Sequence, residues 1–338
     1  MQEFTIEQPQ FDKNTYMGRV LTFASATNPK YAFLSKSYIN EQIAIIEEQK
    51  KRESENFAKT GKKTIPMSEE EIYKIREAQN IVQGTCHADT KLPLPFSMRC
   101  TSFMPMNVPI TLGFMLAPPT IRNVVGMHWL NQSYNAQFNY GNASASSPMT
   151  TEEFLQSYAV AVSVAVTVGL TVSRLLKPLS AGATGVRFVV LNSFTAAFAS
   201  AIAGASNNYI MRQKEVDNGI EICDPATNET VGKSKLVAEI ARRQTAASRC
   251  VMSATLFFPA AMSLLLQKMR LLPKNAQMLF TVQFVLAVLQ LEIAVPFSVG
   301  LFPQYAVTKA DLLEPEFQNI KSAKTGEVIR EFIYNKGL

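Results

Sequence analysis

The chain has 338 residues, of which 47% are apolar and only 18% charged, and its formal net charge is +6. Soluble domains carry about 25% charged residues, so this composition excludes a disordered or highly charged protein. The positive charge forms no basic stripe interleaved with aromatic residues, which argues against nucleic acid as a partner.

The first 99 residues carry fourteen Lys or Arg and thirteen Asp or Glu residues. This balance predicts a helical extramembrane region over 1–99. Ser68 and Glu71 have the spacing of a capping box at the start of one helix. A second, charged helix is predicted from Tyr38 to Phe57. Residues 1–12 hold three acids and no base, and therefore match neither a secretory signal nor a mitochondrial presequence.

Five runs of 18 to 25 residues then lack charge, apart from a single Glu292 in the last. Because about 20 apolar residues cross a bilayer, the runs predict an all-α, polytopic membrane protein with about five transmembrane helices. The transmembrane domain covers 100–308, and 309–338 is predicted to be an extramembrane tail. The predicted spans are 100–121, 154–173, 188–211, 250–267 and 278–302.

The loops 174–187 and 268–274 each carry three basic residues and no acid, which places both on one side of the membrane. Five spans then put the N-terminus on that basic side, and the segment 212–249 and the C-terminus across from it. Residues 123–140 are uncharged but polar, and are predicted to be an amphipathic helix, a re-entrant segment or a sixth span. If residues 123–140 form a sixth span, the N-terminus lies on the opposite side of the membrane from the basic loops.

Catalytic and metal-binding motifs are absent from the sequence. The four cysteines form no CxxC pair, and there are two histidines, so neither a zinc site nor another metal site is predicted. No phosphate-binding or nucleotide-binding glycine motif occurs, and no nucleophile stands in a known hydrolase motif. The sequence therefore predicts neither an enzyme nor a cofactor.

Seven short segments, in order along the chain, resemble the sideroflexin family. The opening segment is similar to that family's N-terminal motif, HADT corresponds to its His-Pro-Asp-Thr signature, and WLNQSYNA to its Trp-x-Asn-Gln-Ser-x-Asn-Ala. The segments are FDKNTYMGR at 11–19, HADT at 87–90, PMN at 105–107, WLNQSYNA at 129–136, MRQ at 211–213, FPQ at 302–304 and YNKGL at 334–338.

The resemblance implies a multi-pass protein of the mitochondrial inner membrane, made without a cleaved presequence. It also implies a transporter of serine or other small neutral amino acids. The sequence departs from the family pattern at Ala88, Lys91, Leu92 and Tyr209. Ala88 has a backbone N–H that proline would lack, and Leu92 stands where the family has an acidic residue that could pair with Arg99. We expect these changes to affect transport activity rather than the fold.

A zwitterionic substrate must exchange water for protein dipoles partway across the bilayer, and broken helices near the midplane supply them. The prolines of 100–121 make that run the predicted broken helix, with Asn107 beside its first break. Amides are costly to leave unpaired in lipid, and they offer both donors and acceptors. The predicted substrate-binding residues are Asn107, Asn131, Asn135 and Asn207, with Ser133 as an auxiliary donor.

Other polar residues near the spans have alternative roles. His87, Asp89 and Thr90 precede the first span and are predicted either to gate its mouth or, for Asp89, to cap that helix. Glu292 is predicted to take up a proton coupled to substrate, to pair with a partner subunit, or to be buried protonated beside Gln283 or Gln290.

Two functions from different classes fit the sequence. The first is a carrier that works by alternating access, with a small neutral amino acid and the lipid bilayer as its partners. The second is a non-transporting accessory or scaffold subunit of a larger inner-membrane protein assembly. A carrier is expected to keep a polar, water-accessible cavity, whereas a scaffold can fill that space with side chains or lipid.

Overall fold

The structure is a computed structural model, and it describes residues 1–88, 90–142 and 150–336. The N-terminal region is helical, as predicted, with a small two-stranded sheet. The Ser68–Glu71 capping box is present at the start of its third helix. The elements are β1 (Gln2–Phe4), α1 (Tyr16–Ala26), α2 (Lys36–Thr60), β2 (Ile65–Met67) and α3 (Glu69–Thr85).

A helical bundle follows, and it confirms the all-α membrane fold class. Among the residues that the structure describes, four helical segments are long and apolar enough to cross a membrane: Thr151–Ser180, Gly185–Asn218, Lys235–Lys268 and Ala276–Val299. The bundle helices are α4 (Phe103–Leu116), α5 (Ile121–Gly141), α6 (Thr151–Ser180), α7 (Gly185–Met211), α8 (Gln213–Asn218), α9 (Lys235–Ala254), α10 (Phe258–Lys268) and α11 (Ala276–Val299).

The first predicted span, 100–121, differs from expectation. α4 ends at Leu116, before Pro118 and Pro119, and it continues without a break through Pro109. The helix is therefore shorter than a full span, and its prolines set its end rather than a break in its middle. Residues 123–140 form the long helix α5, as one of the alternatives predicted, and its position relative to the bilayer stays a prediction.

α4 and α5 form a hairpin. The Asn142 side chain at the end of α5 donates to the Met98 carbonyl just before α4, over 2.8 Å. At the same end of the bundle, Arg19 of α1 donates to the Gly300 carbonyl beyond α11, over 2.8 Å. The N-terminal region therefore lies at the same end of the bundle as the residues that follow α11. Five full crossings would put the two at opposite ends, and the difference arises because α5 returns the chain to the end from which α4 starts. The sides of the membrane stay a prediction.

The predicted tail and the segment after α7 pair into one sheet. Its strands are antiparallel, in the order β4-β3-β6-β5. Because β3 pairs with β6, residues 220–234 and the C-terminal strands lie at one end of the bundle, whereas residues from Lys235 onward already belong to an apolar helical segment that is long enough to cross a membrane. The side of the membrane on which the sheet lies stays a prediction. The sheet was not predicted; α9 covers it through Val237 and Ala241. The strands are β3 (Ile220–Cys223), β4 (Thr230–Ser234), β5 (Tyr305–Lys309) and β6 (Glu331–Asn335).

Candidate functional site

A polar line runs along α5 on the face turned toward α6 and α7. The helix starts after Pro119, where the Thr120 hydroxyl accepts a hydrogen bond from the Asn123 N–H over 3.3 Å. Spacings of four, three and four residues place the members of the line on one side of a helix. They are His128, Gln132, Asn135 and Asn139.

The first cavity lies between α4, α5, α6 and α7, at the end of the bundle where α4 turns into α5. Its volume of about 30 Å³ has room for about two water molecules. The Asn192 side chain on α7 donates to the carbonyls of Met115, over 3.3 Å, and Ala117, over 3.0 Å, which ties α7 to the end of α4. Polar lining residues include Asn123, His128, Ser173, Asn192 and Thr195.

His128 closes the inner end of this cavity. It is 1% exposed, and its ring centroid lies 4.9 Å from that of Phe114. A Cβ added to Gly169 of α6 would lie 2.4 Å from His128 Nε2, so the imidazole occupies the space that the glycine leaves. Within the described chain His128 Nδ1 has no hydrogen-bond partner. A buried unpaired nitrogen is costly, so it is suited to a water or a ligand in the cavity.

The second cavity lies farther along α5, between that helix, the start of α6 and the end of α7. Its volume of about 20 Å³ has room for about one water molecule. Within the part of the chain that the structure describes, no charged side chain lines this cavity or the first. Gln132, one turn beyond His128, is 4% exposed and lines its inner end. Other polar lining residues are Asn135, Asn139, Tyr140, Ser157, Tyr158 and Asn207.

The structure brings together part of the predicted site. Asn135 and Asn207 line the second cavity from α5 and α7. Ser133 lies beside it, with its hydroxyl 2.8 Å from the Trp129 carbonyl and 2.7 Å from the Tyr158 hydroxyl, which links α5 to α6. Asn131 is half-buried and lines neither cavity. Asn107 is also separate, because its amide donates to the Phe103 carbonyl in its own helix, over 2.8 Å.

Three polar residues of this site were not predicted from the sequence. They are His128, Gln132 and Asn192, of which the first two continue the polar face of α5. The sequence does contain a signal for His128 and Gln132. One face of a helix is described better by alternating spacings of four and three residues than by a repeated spacing of four. Counting back from Asn139 and Asn135 with the alternating spacing leads to Gln132 and His128. Asn192 had no such signal, because its role depends on the packing of α7 against α4.

The loop before α4 holds the signature residues away from both cavities. The Thr90 N–H donates to His87 Nδ1 over 3.3 Å, and Asp89 lies outside the described residues. Arg99, 5% exposed, follows this loop and needs no carboxylate there, because three backbone carbonyls accept from it at 2.8 to 2.9 Å. They belong to Ala32, Leu34 and Leu94. The gating and capping roles stay predictions.

Glu292 lies on the outer face of α11 and is exposed. The prediction that it is buried beside Gln283 or Gln290 is wrong, because both glutamines point inward. Gln283 donates to Ser263 over 2.9 Å and Gln290 donates to Thr255 over 2.8 Å. In the described parts of the chain, no group of three His, Cys, Asp or Glu side chains is placed to hold a metal ion.

Comparison with known proteins gives matches along almost the whole chain. A family model described as Sideroflexins matches residues 5–338. A sideroflexin of Dictyostelium discoideum is 33% identical, over 97% of this chain and 96% of the relative. Human sideroflexin-5 is 29% identical over 99% of this chain and 93% of its own length, and human sideroflexin-2 is 29% identical over 99% and 98%. No solved structure matches.

Proposed function

Because the chain belongs to the sideroflexin family, we propose that it is a transporter of the mitochondrial inner membrane that carries serine or another small neutral amino acid. Family membership supports a membrane transporter in general terms. The inner-membrane location and the substrate class follow from the resemblance of the motifs. The mechanism that we propose is alternating access along the polar face of α5.

The observation that carries this proposal is the pair of cavities along α5. The first opens where α4 turns into α5, and the second lies toward the other end of the bundle. Between them, His128 packs against Gly169 and Gln132 is buried. Two cavities at opposite ends of one polar line, separated by buried side chains, support a carrier whose substrate passes along α5.

The uncharged lining favours a zwitterion over an ion. Amide and imidazole groups donate hydrogen bonds to a carboxylate and accept them from an ammonium group. An isolated net charge buried among such groups lacks a counter-charge and is strongly disfavoured. A neutral amino acid brings both charges with it, so each can bond to the side chains of α5 without leaving a net charge buried.

The small volumes mean that neither cavity admits an amino acid in the observed arrangement. Each cavity holds one or two water molecules, which is too little for an amino acid. Substrate binding therefore requires α5 to separate from α6 or α7. The hydrogen bond between Ser133 and Tyr158 and the contact between His128 and Gly169 are the interactions that such a movement breaks.

The experiment that tests the proposal is uptake of labelled serine into liposomes that contain the purified protein. Asn135→Ala removes an amide that lines the second cavity, whereas Asn131→Ala, the matched control one turn earlier, removes an amide outside both cavities. We expect saturable uptake, reduced at least tenfold by Asn135→Ala and unchanged by Asn131→Ala. Competition by alanine but not by aspartate or lysine is the expected selectivity.

Two outcomes would contradict this interpretation. Equal uptake by both variants would keep the carrier but remove the second cavity from its path. The absence of uptake above empty liposomes, from protein shown to be folded and inserted, would contradict the carrier itself.

The accessory-subunit function is favoured by one observation, the outward position of Glu292. A carboxylate exposed on an apolar helix within the membrane is expensive unless a partner donates to it. Under this alternative, Glu292→Leu releases the protein from a larger complex on native gels of detergent-solubilised mitochondria, while Glu292→Gln, which keeps hydrogen-bonding capacity, retains part of the association. An unchanged complex in the Glu292→Leu variant would reject this alternative.

A further inference from the structure

Three cationic residues, Arg212, Arg249 and Lys336, lie around the C-terminal part of α7. Arg212, the first residue after α7, donates to the Lys336 carbonyl over 2.7 Å and to the Thr245 hydroxyl over 2.6 Å. The Lys336 N–H in turn donates to the Gln304 carbonyl over 2.7 Å. One residue from each of three sequence motifs, Arg212, Gln304 and Lys336, therefore lies at this point, outside the lining of both α5 cavities.

Arg249 joins this cluster from α9. It lies one helical turn beyond Thr245, so both residues share the face of α9 that contacts α7. If Gly204 of α7 had a Cβ, that atom would lie 3.7 Å from the Arg249 Cβ. The two helices are therefore in close contact there. The charges of Arg212 and Arg249 both act on Lys336.

The cluster has more positive than negative charge. Glu215 is 2.6 Å from the Arg212 guanidinium. Among the residues that the structure describes, no carboxylate or other acceptor is bonded to the Arg249 guanidinium or to the Lys336 ammonium, although Lys336 is only 2% exposed. Burial, together with the two arginines, lowers the pKa of Lys336 to about 8, so it is still mostly protonated at neutral pH.

A buried cation without a counter-charge, as at Lys336, is strongly unfavourable, and the half-buried Arg249 adds a second charge that no carboxylate balances among the described residues. An anion is the simplest completion of this arrangement. We propose that Arg212, Arg249 and Lys336 form a binding site for a small oxyanion, a carboxylate or phosphate group. An arginine presents two parallel N–H donors to such a group, and a lysine adds a point charge. The site joins α7, α9 and the last strand, so anion binding would hold the C-terminal sheet onto the bundle.

The anion has two sources, a free ion in solution or the phosphate of a lipid headgroup. The test is the thermal unfolding temperature of the full-length protein at constant ionic strength. One set of samples, in neutral detergent, contains chloride alone, inorganic phosphate or acetate. A second set, in phosphate-free nanodiscs, contains phosphatidylcholine with or without phosphatidylglycerol. Lys336→Met and Arg249→Gln are the site variants, and Lys324→Met, an exposed lysine of the C-terminal region, is the matched control.

We expect phosphate or phosphatidylglycerol to raise the unfolding temperature of the wild type in a saturable manner. At a hundredfold excess over the Kd, the rise is about 5 °C. The same rise is expected in Lys324→Met, whereas both site variants lose it. Lys336→Met should also unfold at a higher temperature than the wild type in chloride alone, because it removes an uncompensated buried charge.

The pattern of shifts identifies the source and can overturn the proposal. A response to phosphate or acetate identifies a free anion, and a response to phosphatidylglycerol alone identifies a headgroup. Equal shifts in the wild type and both site variants, or no shift of the wild type in any sample, would overturn the site. If Lys336→Met fails to fold, a second measurement uses labelled phosphate. The folded wild type should retain the label, and Arg249→Gln should lose it.

Discussion

Gly169→Ala tests whether the layer between the two cavities is as tightly closed as the structure shows. The new Cβ would lie 2.4 Å from His128 Nε2 and 2.5 Å from His128 Cδ2, well inside the contact distance of carbon and nitrogen. The imidazole is 1% exposed and packs against Phe114, so it cannot move away without displacing other side chains.

The magnitude follows from two opposing effects. Overpacking of a buried helix interface by one methyl group costs about 1 to 3 kcal/mol. Replacing glycine by alanine inside a helix returns up to about 1 kcal/mol of helix propensity. We therefore expect Gly169→Ala to destabilise the protein by about 1 to 2 kcal/mol and to reduce serine uptake, because His128 is pushed along the path between the cavities.

The assay is thermal unfolding in detergent together with liposome uptake, with Gly126→Ala as the matched control. Gly126 lies in α5 and has open space where its Cβ would be, so its alanine variant should be neutral or slightly stabilised. In the His128→Ala background, where the clashing ring is gone, adding Gly169→Ala should no longer be destabilising. Equal stability of Gly169→Ala and Gly126→Ala, or the same cost of Gly169→Ala in both backgrounds, would refute the reasoning.

Three further predictions concern the parts of the chain outside the bundle. The pKa of Lys336 is lowered from 10.5 to about 8, so the folded protein loses this proton at a lower pH than the unfolded chain does. Raising the pH from 7 to 9 should therefore increase the free energy of unfolding of the wild type by about 1 kcal/mol more than that of Lys336→Met. Thermal unfolding of both proteins at the two pH values measures this difference. Arg99→Met should cost about 3 kcal/mol, because three carbonyls lose their donor and two of these hydrogen bonds are buried. Arg76→Met, which removes a half-buried arginine, serves as the comparison, and a similar cost for both variants would contradict this account. Burial alone would raise the pKa of Glu314, but hydrogen bonds from Ser234 and from the first N–H groups of α9 outweigh burial and hold that pKa below 4.5. Glu314→Gln should therefore lower the free energy of unfolding by about 1 kcal/mol at pH 7. This difference between the two proteins should disappear when the pH is lowered below the pKa of Glu314 in the folded state.

The elements that were predicted well are those whose signals are local. The capping box at Ser68 and Glu71 forms because both partners lie within one helical turn. The long apolar helices form where uncharged runs are long enough to cross a bilayer. Asn135 and Asn207 are predicted as site residues because amides are expensive in lipid, and both line the second cavity, whereas their contact with a substrate stays a prediction.

The elements that were missed depend on contacts between distant segments. The amides at 107 and 131 have the same chemistry as those at 135 and 207, and only helix packing separates the two that line a cavity from the two that do not. The burial of His128 depends on a glycine 41 positions later in the chain, on another helix. No periodicity within α5 contains that information.

By itself, the sequence determined the class of this protein: a helical membrane protein of the sideroflexin family, with apolar runs, helix caps and motifs that can be recognised without a structure. The tertiary structure decided that α4 and α5 form a hairpin, that β3 pairs with β6, and that Arg212 meets Lys336 from 124 positions away. The physical reason is that composition and short-range spacing determine which segments are helical and buried, whereas the choice of partners depends on the packing of the whole chain.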